Sequence, residues 1–304
     1  MDTSTRGWLN GFAGVLIFSG SLPATRLAVA EFDPIFLTVA RASIAGILAL
    51  VLLVVFRQVR PSQKELLSLI IVSFGVVVGF PLLTALALQY VTSAHSIMFI
   101  GLLPLMTAIF AVVRGGERPR PAFWIFSFMG SALVAGFAFS RGLSGFSIGD
   151  GFMLAAIIVC GLGYAEGAKL SRHLGGWQVI SWALVLSLPV MAPMALINMP
   201  TSFTNISFNA WAALAYVSVF SMLLGFVFWY RGLAQGGIAA VGQLQLLQPF
   251  FGLALAALLV HEDVSWNMIV VTGAVVFCVF GAKTLGSASA PLNPVQNKPE
   301  ALVR

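Results

Sequence analysis

Charge is what this sequence has least of. Asp, Glu, Lys and Arg make up 9% of its 304 residues, against 59% hydrophobic. Soluble domains run nearer 25% charged and 45–50% apolar, so a water-facing surface could not be covered, and the mean hydropathy of +0.99 agrees. Histidine and cysteine are scarce as well, with three and two copies. Hydrolases that work inside membranes need paired acids, a Ser–His dyad or a metal cluster. Here His95, His173 and His261 are scattered, no H-E-x-x-H occurs, and Ser147-Ile148-Gly149-Asp150 misses the aspartyl G-x-G-D pattern. The sequence therefore points away from an enzyme and asks for no cofactor or metal. Cys160 and Cys278 fall inside apolar runs, give no disulfide framework and read as small packing residues.

What is present is apolar sequence in long runs. A helix needs roughly 20 apolar residues to cross the bilayer core. Such runs fall near Trp8–Ala30, Pro34–Phe56, Leu66–Leu88, Thr92–Val113 and Pro121–Phe139, then near Gly151–Leu170, Trp177–Asn198, Asn209–Tyr230, Ile238–Val260 and Val264–Thr284. The fold expected is an all-α integral membrane protein of ten transmembrane helices with short connectors. Barrel strands would be about ten residues long with strict alternation, which these continuous runs lack.

The net charge of +6 does not announce a nucleic-acid partner, because its distribution follows the membrane. With the N-terminus inside, the inner segments hold Arg6; Arg57, Arg60 and Lys64; Arg114, Arg118 and Arg120; Arg172; Arg231; and Lys283, Lys298 and Arg304. The outer loops hold Arg141 alone among the basic residues, together with Glu31, Asp33, Asp150, Glu262 and Asp263. This is the positive-inside pattern, and it places both termini in the cytoplasm. Arg6, an apolar run and Ala28-Val29-Ala30 imitate a signal peptide. Arg26 just before the cleavage point argues for a retained first helix.

The two halves repeat. A shift of 145 residues carries Pro104 onto Pro249, Glu117 onto Glu262, and Ala85 through Ser93 onto Tyr230 through Ile238. A shift of 143 carries Gly20 onto Gly163 and Arg26 onto Lys169. The units expected are residues 1–144, a second five-helix repeat over 145–285, and a flexible cytoplasmic tail over 286–304. Five helices per repeat is odd, so the second unit is inverted in the membrane, as in alternating-access transporters with a midplane substrate site.

Ser19-Gly20-Ser21-Leu22-Pro23-Ala24-Thr25-Arg26 resembles the first-helix signature of EamA-type carriers, in the drug/metabolite transporter superfamily. Asp33-Pro34 with Arg41 resembles the second-helix pattern. Leu103-Pro104-Leu105 before Gly116-Glu117, and Gln248-Pro249-Phe250 before Glu262, resemble those of helices four and nine. Phe18 stands where many members carry Trp, and Leu184 aligns with Arg41, so the halves are not equivalent. The resemblance implies a monomeric carrier of the bacterial inner membrane, exporting small metabolites by alternating access, and looks closest to exporters of aromatic amino acids and methionine. The alternatives are another metabolite or a cationic drug as cargo, or, in a different class, a channel or an intramembrane enzyme.

Polar residues inside spans are costly, and they mark either interhelical contacts or a pathway. Arg26 reads as a snorkelling cation near Glu31 or Asp33, or as a lure for a substrate carboxylate. Arg41 reads as a brace on carbonyls or an acid. Glu166 and Lys169 are three apart, the spacing of an ion pair on one helical face, with proton coupling at Glu166 as the functional alternative. Substrate contacts are expected from Ser21, His95, Met98, Tyr164, Trp229, Gln243, Gln245 and Gln248. Trp8, Trp177 and Trp211 read as interfacial anchors. Pro23, Pro81, Pro104 and Pro249 are hinge candidates. Gly75–Gly79, Gly163–Gly167 and Gly232–Gly236 have the spacing for close helix approach.

Overall fold

The computed structural model describes residues 2–91, 96, 99–139, 147–204, 206–260 and 266–286, and every element among them is helical. Helix α1 (Thr3–Ser19) starts where the Asp2 carboxylate accepts the Thr5 N–H, and after a break at Gly20 it continues as α2 (Ser21–Val29). Asp33 caps α3 (Pro34–Val55), whose first residue is the proline. That proline gives up only an N–H the helix leaves unpaired. Helix α4 (Gln63–Val72) opens with a Ser62/Glu65 capping box, widens into a π-helical stretch (Ser73–Gly79), and resumes as α5 (Phe80–Tyr90). Shorter helices α6 (Leu103–Val113) and α7 (Pro121–Phe139) follow.

Helix α8 (Ile148–Leu174) opens on a second capping box, Ser147/Asp150, which is the role of the serine and aspartate in the Ser-Ile-Gly-Asp stretch. Gly175 turns the chain at φ 91°, a left-handed value that suits glycine, into α9 (Gly176–Ile197). Then come α10 (Phe208–Ala215), a π stretch (Tyr216–Leu224) and α11 (Gly225–Gly236). The next rod is broken into α12 (Ile238–Gly242), a 3₁₀ turn (Gln243–Leu247) and α13 (Gln248–Val260), and α14 (Trp266–Gly286) ends the described chain.

Six of these rods are long and apolar enough to cross a membrane: Thr3–Val29, Pro34–Val55, Gln63–Tyr90, Ile148–Leu174, Gly176–Ile197 and Phe208–Gly236. They coincide with the first three predicted spans of each half. The others include α7 and α14, of 19 and 21 residues, and the fourth predicted span lies partly outside the described residues. Side chains such as Val54, Ile197 and Phe277 are more than 60% exposed, as expected where the solvent is hydrocarbon.

Neighbouring rods run antiparallel. Gly7 meets Gly236, Gly11 meets Gly232, and Gly20 meets Tyr216 along the α1–α11 seam, while Gly75 meets Gly163 and Gly149 meets Tyr90 along the rod leading to α5 and its partner α8. One end of the bundle therefore gathers Arg57, Arg172, Arg231 and Lys283, and the other gathers Glu31, Asp33 and Asp150. At the basic end the Lys283 ammonium sits 4.4 Å from the Trp8 ring centre, and Trp177 packs edge-on against Phe56. At the acidic end Trp211 packs on Phe32, and Glu31 accepts from the N–H and hydroxyl of Ser207, each at 2.6 Å. Those two bonds hold the Glu31 carboxyl below the usual carboxylate range.

The largest interfaces are α1 on α11, α3 on α9, α7 on α14, and α5 on α8, with α6 on α8 and α12 completing the set. The same glycine device serves two of them. A Cβ on Gly232 would lie 2.5 Å from the Gly11 nitrogen, and one on Gly75 would lie 2.6 Å from the Val159 carbonyl oxygen. Gly232→Val should therefore force α1 and α11 apart, costing at least the roughly 1–3 kcal/mol typical of overpacking. The expected result is a lowered melting temperature and poor recovery of monodisperse protein. Gly151→Ala, where an added Cβ meets nothing within 4 Å, should behave as wild type. Equal stability of the two variants would show that the seams are looser than described.

Candidate functional site

The breaks in the helices converge. A small cleft opens where the halves meet, and many of its lining residues flank the irregular stretches. Phe18 and Ser21 lie on either side of the Gly20 break, and Val76 lies within the first π stretch with Phe80 just beyond it. Ser221 lies within the second π stretch with Phe226 beyond it, and Gln248 follows the 3₁₀ turn. Non-helical backbone at membrane depth is tolerated where protein or a cavity accommodates it, and π turns frequently mark functional sites.

The cleft lies between the bundle's middle and its acidic end. Its rings pack as one group, with Phe18 5.0 Å from Phe226 and Tyr164 5.8 Å from Phe226 between centroids. Its polar wall is built from Ser21, Thr25, Thr84, Ser221, Gln248 and Arg41. The Ser21 and Ser221 hydroxyls are 2.7 Å apart and tie α2 to the second π stretch. Arg41, buried in α3, donates from one terminal nitrogen to the Val217 carbonyl at 3.2 Å and to Ser221 at 3.3 Å. Gln248 donates to the Phe18 carbonyl at 3.4 Å.

Toward the basic end the bundle is closed by polar clamps. Glu117 accepts the N–H groups of Ile238 and Ala239, both at 2.8 Å, and the Arg172 guanidinium at 2.8 Å. One carboxylate thus joins the segment after α6, the end of α8 and the start of α12. Deeper in, Glu166 accepts from Arg114 at 2.9 Å and from the Ser68 hydroxyl at 2.6 Å. Gln243 donates to Ser127, and Asn10 donates to Gln235.

The structure sorts the residues singled out in the sequence. Ser21, Arg41, Tyr164 and Gln248 line the cleft. Trp229 is fully buried behind it, 5.4 Å from the Tyr164 ring. Gln243 and Gln245 are also fully buried and outside the lining, with Gln245 beside the Tyr164 hydroxyl. The glutamine run winds as a 3₁₀ helix, whose three-residue repeat keeps Gln245 on the face of Gln248 but one turn away from it along the rod.

The expected Glu166–Lys169 pair does not form. Lys169 is exposed, and Glu166 turns instead to Arg114 and Ser68 on other rods. Arg26 donates to the Leu88 carbonyl rather than to Glu31, which is taken by Ser207, or to Asp33, which caps α3. Pro81, Pro104 and Pro249 each occupy the second position of a helix, and Pro23 stands in the first turn of α2. Pro23, Pro81 and Pro249 each follow an irregular stretch inside a longer rod, where the missing N–H coincides with a break in the helix. His95 and Met98 lie outside the described residues. Sequence reasoning passed over Phe18, Phe80, Ser221 and Phe226 as cleft residues, and only their nearness to a break could have marked them.

The two halves of this architecture match one family model twice, over residues 5–139 and 147–283, and the model is that of the EamA-like transporter family. The chain belongs to the EamA-like transporter family. It is 68% identical to YdeK of Bacillus subtilis (strain 168), an uncharacterized transporter, over 93% of this chain and 99% of that protein. It is 26% identical to an uncharacterized transporter of Archaeoglobus fulgidus, covering 82% of this chain and 87% of the relative. A solved crystal structure of a protein 20% identical superposes with a TM-score of 0.75, over 92% of this chain and 98% of that one. That likeness shows the fold.

For this EamA-like transporter, the Glu117 clamp gives a direct test. Hydrogen bonds to a charged group contribute about 1.5–3 kcal/mol each. Glu117→Ala, which leaves two N–H groups and Arg172 without their acceptor, should cost about 2 kcal/mol or more. The expected readout is a lowered melting temperature in detergent, with Arg172→Ala milder because it removes only the more exposed partner. Unchanged stability in both variants would show that the clamp bears no load.

Proposed function

We propose that this chain exports amino acids with aromatic or thioether side chains across the bacterial inner membrane, by alternating access between two inverted five-helix halves. The observation that carries the reading is the cleft itself, lined by rings together with hydroxyl, amide and guanidinium groups drawn from both halves. An apolar side chain rests on Phe18, Tyr164 and Phe226, and the charged ends of the zwitterion are met by polar groups, as desolvation at the midplane demands.

Several features support the inverted-repeat part of the proposal. The interfaces map onto one another when the halves are exchanged: α1 on α11 answers α5 on α8, while α3 on α9 and α7 on α14 answer themselves. Adding 145 to the first π stretch, Ser73–Gly79, gives 218–224, which falls inside the second, Tyr216–Leu224. Ten spans follow if the shorter and broken rods cross as well. The basic end, where α1 starts and α14 ends, then faces the cytoplasm, and the closed clamps make this an outward-facing arrangement.

Proteoliposomes containing the pure protein should take up labelled phenylalanine and methionine in a saturable manner, and excess unlabelled tryptophan should compete. Counterflow, in which internal unlabelled substrate accelerates entry of labelled substrate, should appear in a carrier and be absent from a channel. If every amino acid is inert while sugars, nucleosides or cationic drugs are moved, the family assignment stands and this cargo does not.

A further inference from the structure

The cleft holds two unsatisfied polar atoms of opposite character. Arg41 is 6% exposed, and its Nε has no hydrogen-bond partner; its two bonds, both from one terminal nitrogen, are long. Among the described residues no carboxylate is paired with it. Glu117 is held by Arg172, Glu166 by Arg114, and Asp33 by its own helix cap. Gln248 is 8% exposed, and its Oε1 is likewise buried without a partner. Its Nε2 donates to the Phe18 carbonyl at 3.4 Å, and the residue lines the cleft.

Resting on the cargo reading above, we infer that the site selects molecules bearing both a carboxylate and an N–H donor, with Arg41 receiving the carboxylate and Gln248 the donor. A planar guanidinium presents a fork that matches a carboxylate, and an unpaired buried acceptor is costly until a donor reaches it. Arg41 is the one charged residue of the lining, so a single negative charge is balanced where a phosphate dianion would not be. A cationic drug would meet an uncompensated positive charge.

The second half supplies an internal control. Leu184, aligned with Arg41 by the 143-residue shift, is fully buried in α9. Packing at this position in a half is therefore solved without charge. A cation the fold does not require, left short of partners in a cavity, is the pattern of a residue kept for its ligand at the expense of stability.

The test uses three probes on the intact protein: phenylalanine, 3-phenylpropionate, which lacks the amine, and phenethylamine, which lacks the carboxylate. In wild type, phenylalanine should be taken up best, 3-phenylpropionate should compete more weakly, and phenethylamine should do neither. Arg41→Gln should lower phenylalanine uptake at least tenfold while keeping or raising the melting temperature, and Arg41→Lys should retain part of the transport. Gln248→Leu should weaken phenylalanine and leave 3-phenylpropionate as in wild type. Should Arg41→Gln fail to fold, wild type alone still decides: saturating phenylalanine must raise its melting temperature more than phenethylamine does. Phenethylamine moved as well as phenylalanine, or Arg41→Gln transporting phenylalanine normally, overturns the inference and leaves the cargo intact. Phenylalanine inert, with Arg41-dependent uptake of another amino acid, overturns the cargo and upholds the inference. A protein that moves only sugars or amines overturns both.

Discussion

Hydrocarbon offers no partner to a backbone N–H or C=O, so every such group in a spanning segment must be paired within the protein. Continuous helices meet that demand at once, which is why the rods Pro34–Val55 and Ile148–Leu174 are unbroken. Departures from α geometry are affordable only where protein or a cavity takes over the pairing. Such departures occur at Gly20, Ser73–Gly79, Tyr216–Leu224 and Gln243–Leu247, and residues within or next to each line the same cleft. The freed backbone is used as well: Val217, inside a π stretch, offers its carbonyl to Arg41, and Ile17, just before the Gly20 break, accepts the Tyr216 hydroxyl.

The same constraint governs charge. Glu166 is 1% exposed and is stabilised by Arg114 and Ser68 from two other rods; Glu117 is stabilised by two N–H groups and Arg172. Both acids thereby stitch α8 to elements of the first half at the basic end. Breaking a buried pair is far more costly than never having formed one, so these contacts favour a closed basic end until something replaces them. Arg41 differs, because its partners are a carbonyl and a hydroxyl rather than an acid. Charge is locked where the bundle is sealed and left available where it is hollow.

Much of the scaffold was legible in the sequence because its signals are local. Runs of apolar residues located the long rods to within a few residues, as with Pro34–Phe56 against Pro34–Val55. Glycine spacing foretold the seams at Gly75 and Gly232, since a missing side chain is visible without knowing the partner. The π stretches were invisible, for Ser73–Gly79 and Tyr216–Leu224 read as ordinary apolar helix, and α9 runs on through Pro189 and Pro193. Pairings failed for the same reason. Glu166 and Lys169 share a local spacing, but the winning partner, Arg114, is 52 residues away, and only tertiary packing reveals it. Of the amides, Gln248 and not Gln245 reached the cleft: the two share a face, but Gln245 lies one turn nearer the basic end, beside Tyr164.

The halves are alike in frame and unlike at the cleft, and on the proposed function the difference has a physical use. Matched interfaces, matched π stretches and matched glycine seams give the frame two nearly equivalent ways to pack, which is what a carrier needs if its two access states are to differ by only a few kcal/mol. A frame that was symmetric in every residue would bind its cargo in two opposed orientations, one for each half. Arg41 against Leu184 breaks that equivalence at the cleft: one half presents the guanidinium and the other a buried aliphatic side chain. Under the proposed function, an amphipathic molecule has one favoured orientation, fixed by the first half, while the second half contributes Tyr164, Ser221, Phe226 and Gln248 to the cleft. In that proposal orientation is set by the residue in which the repeats disagree, and motion by those in which they agree.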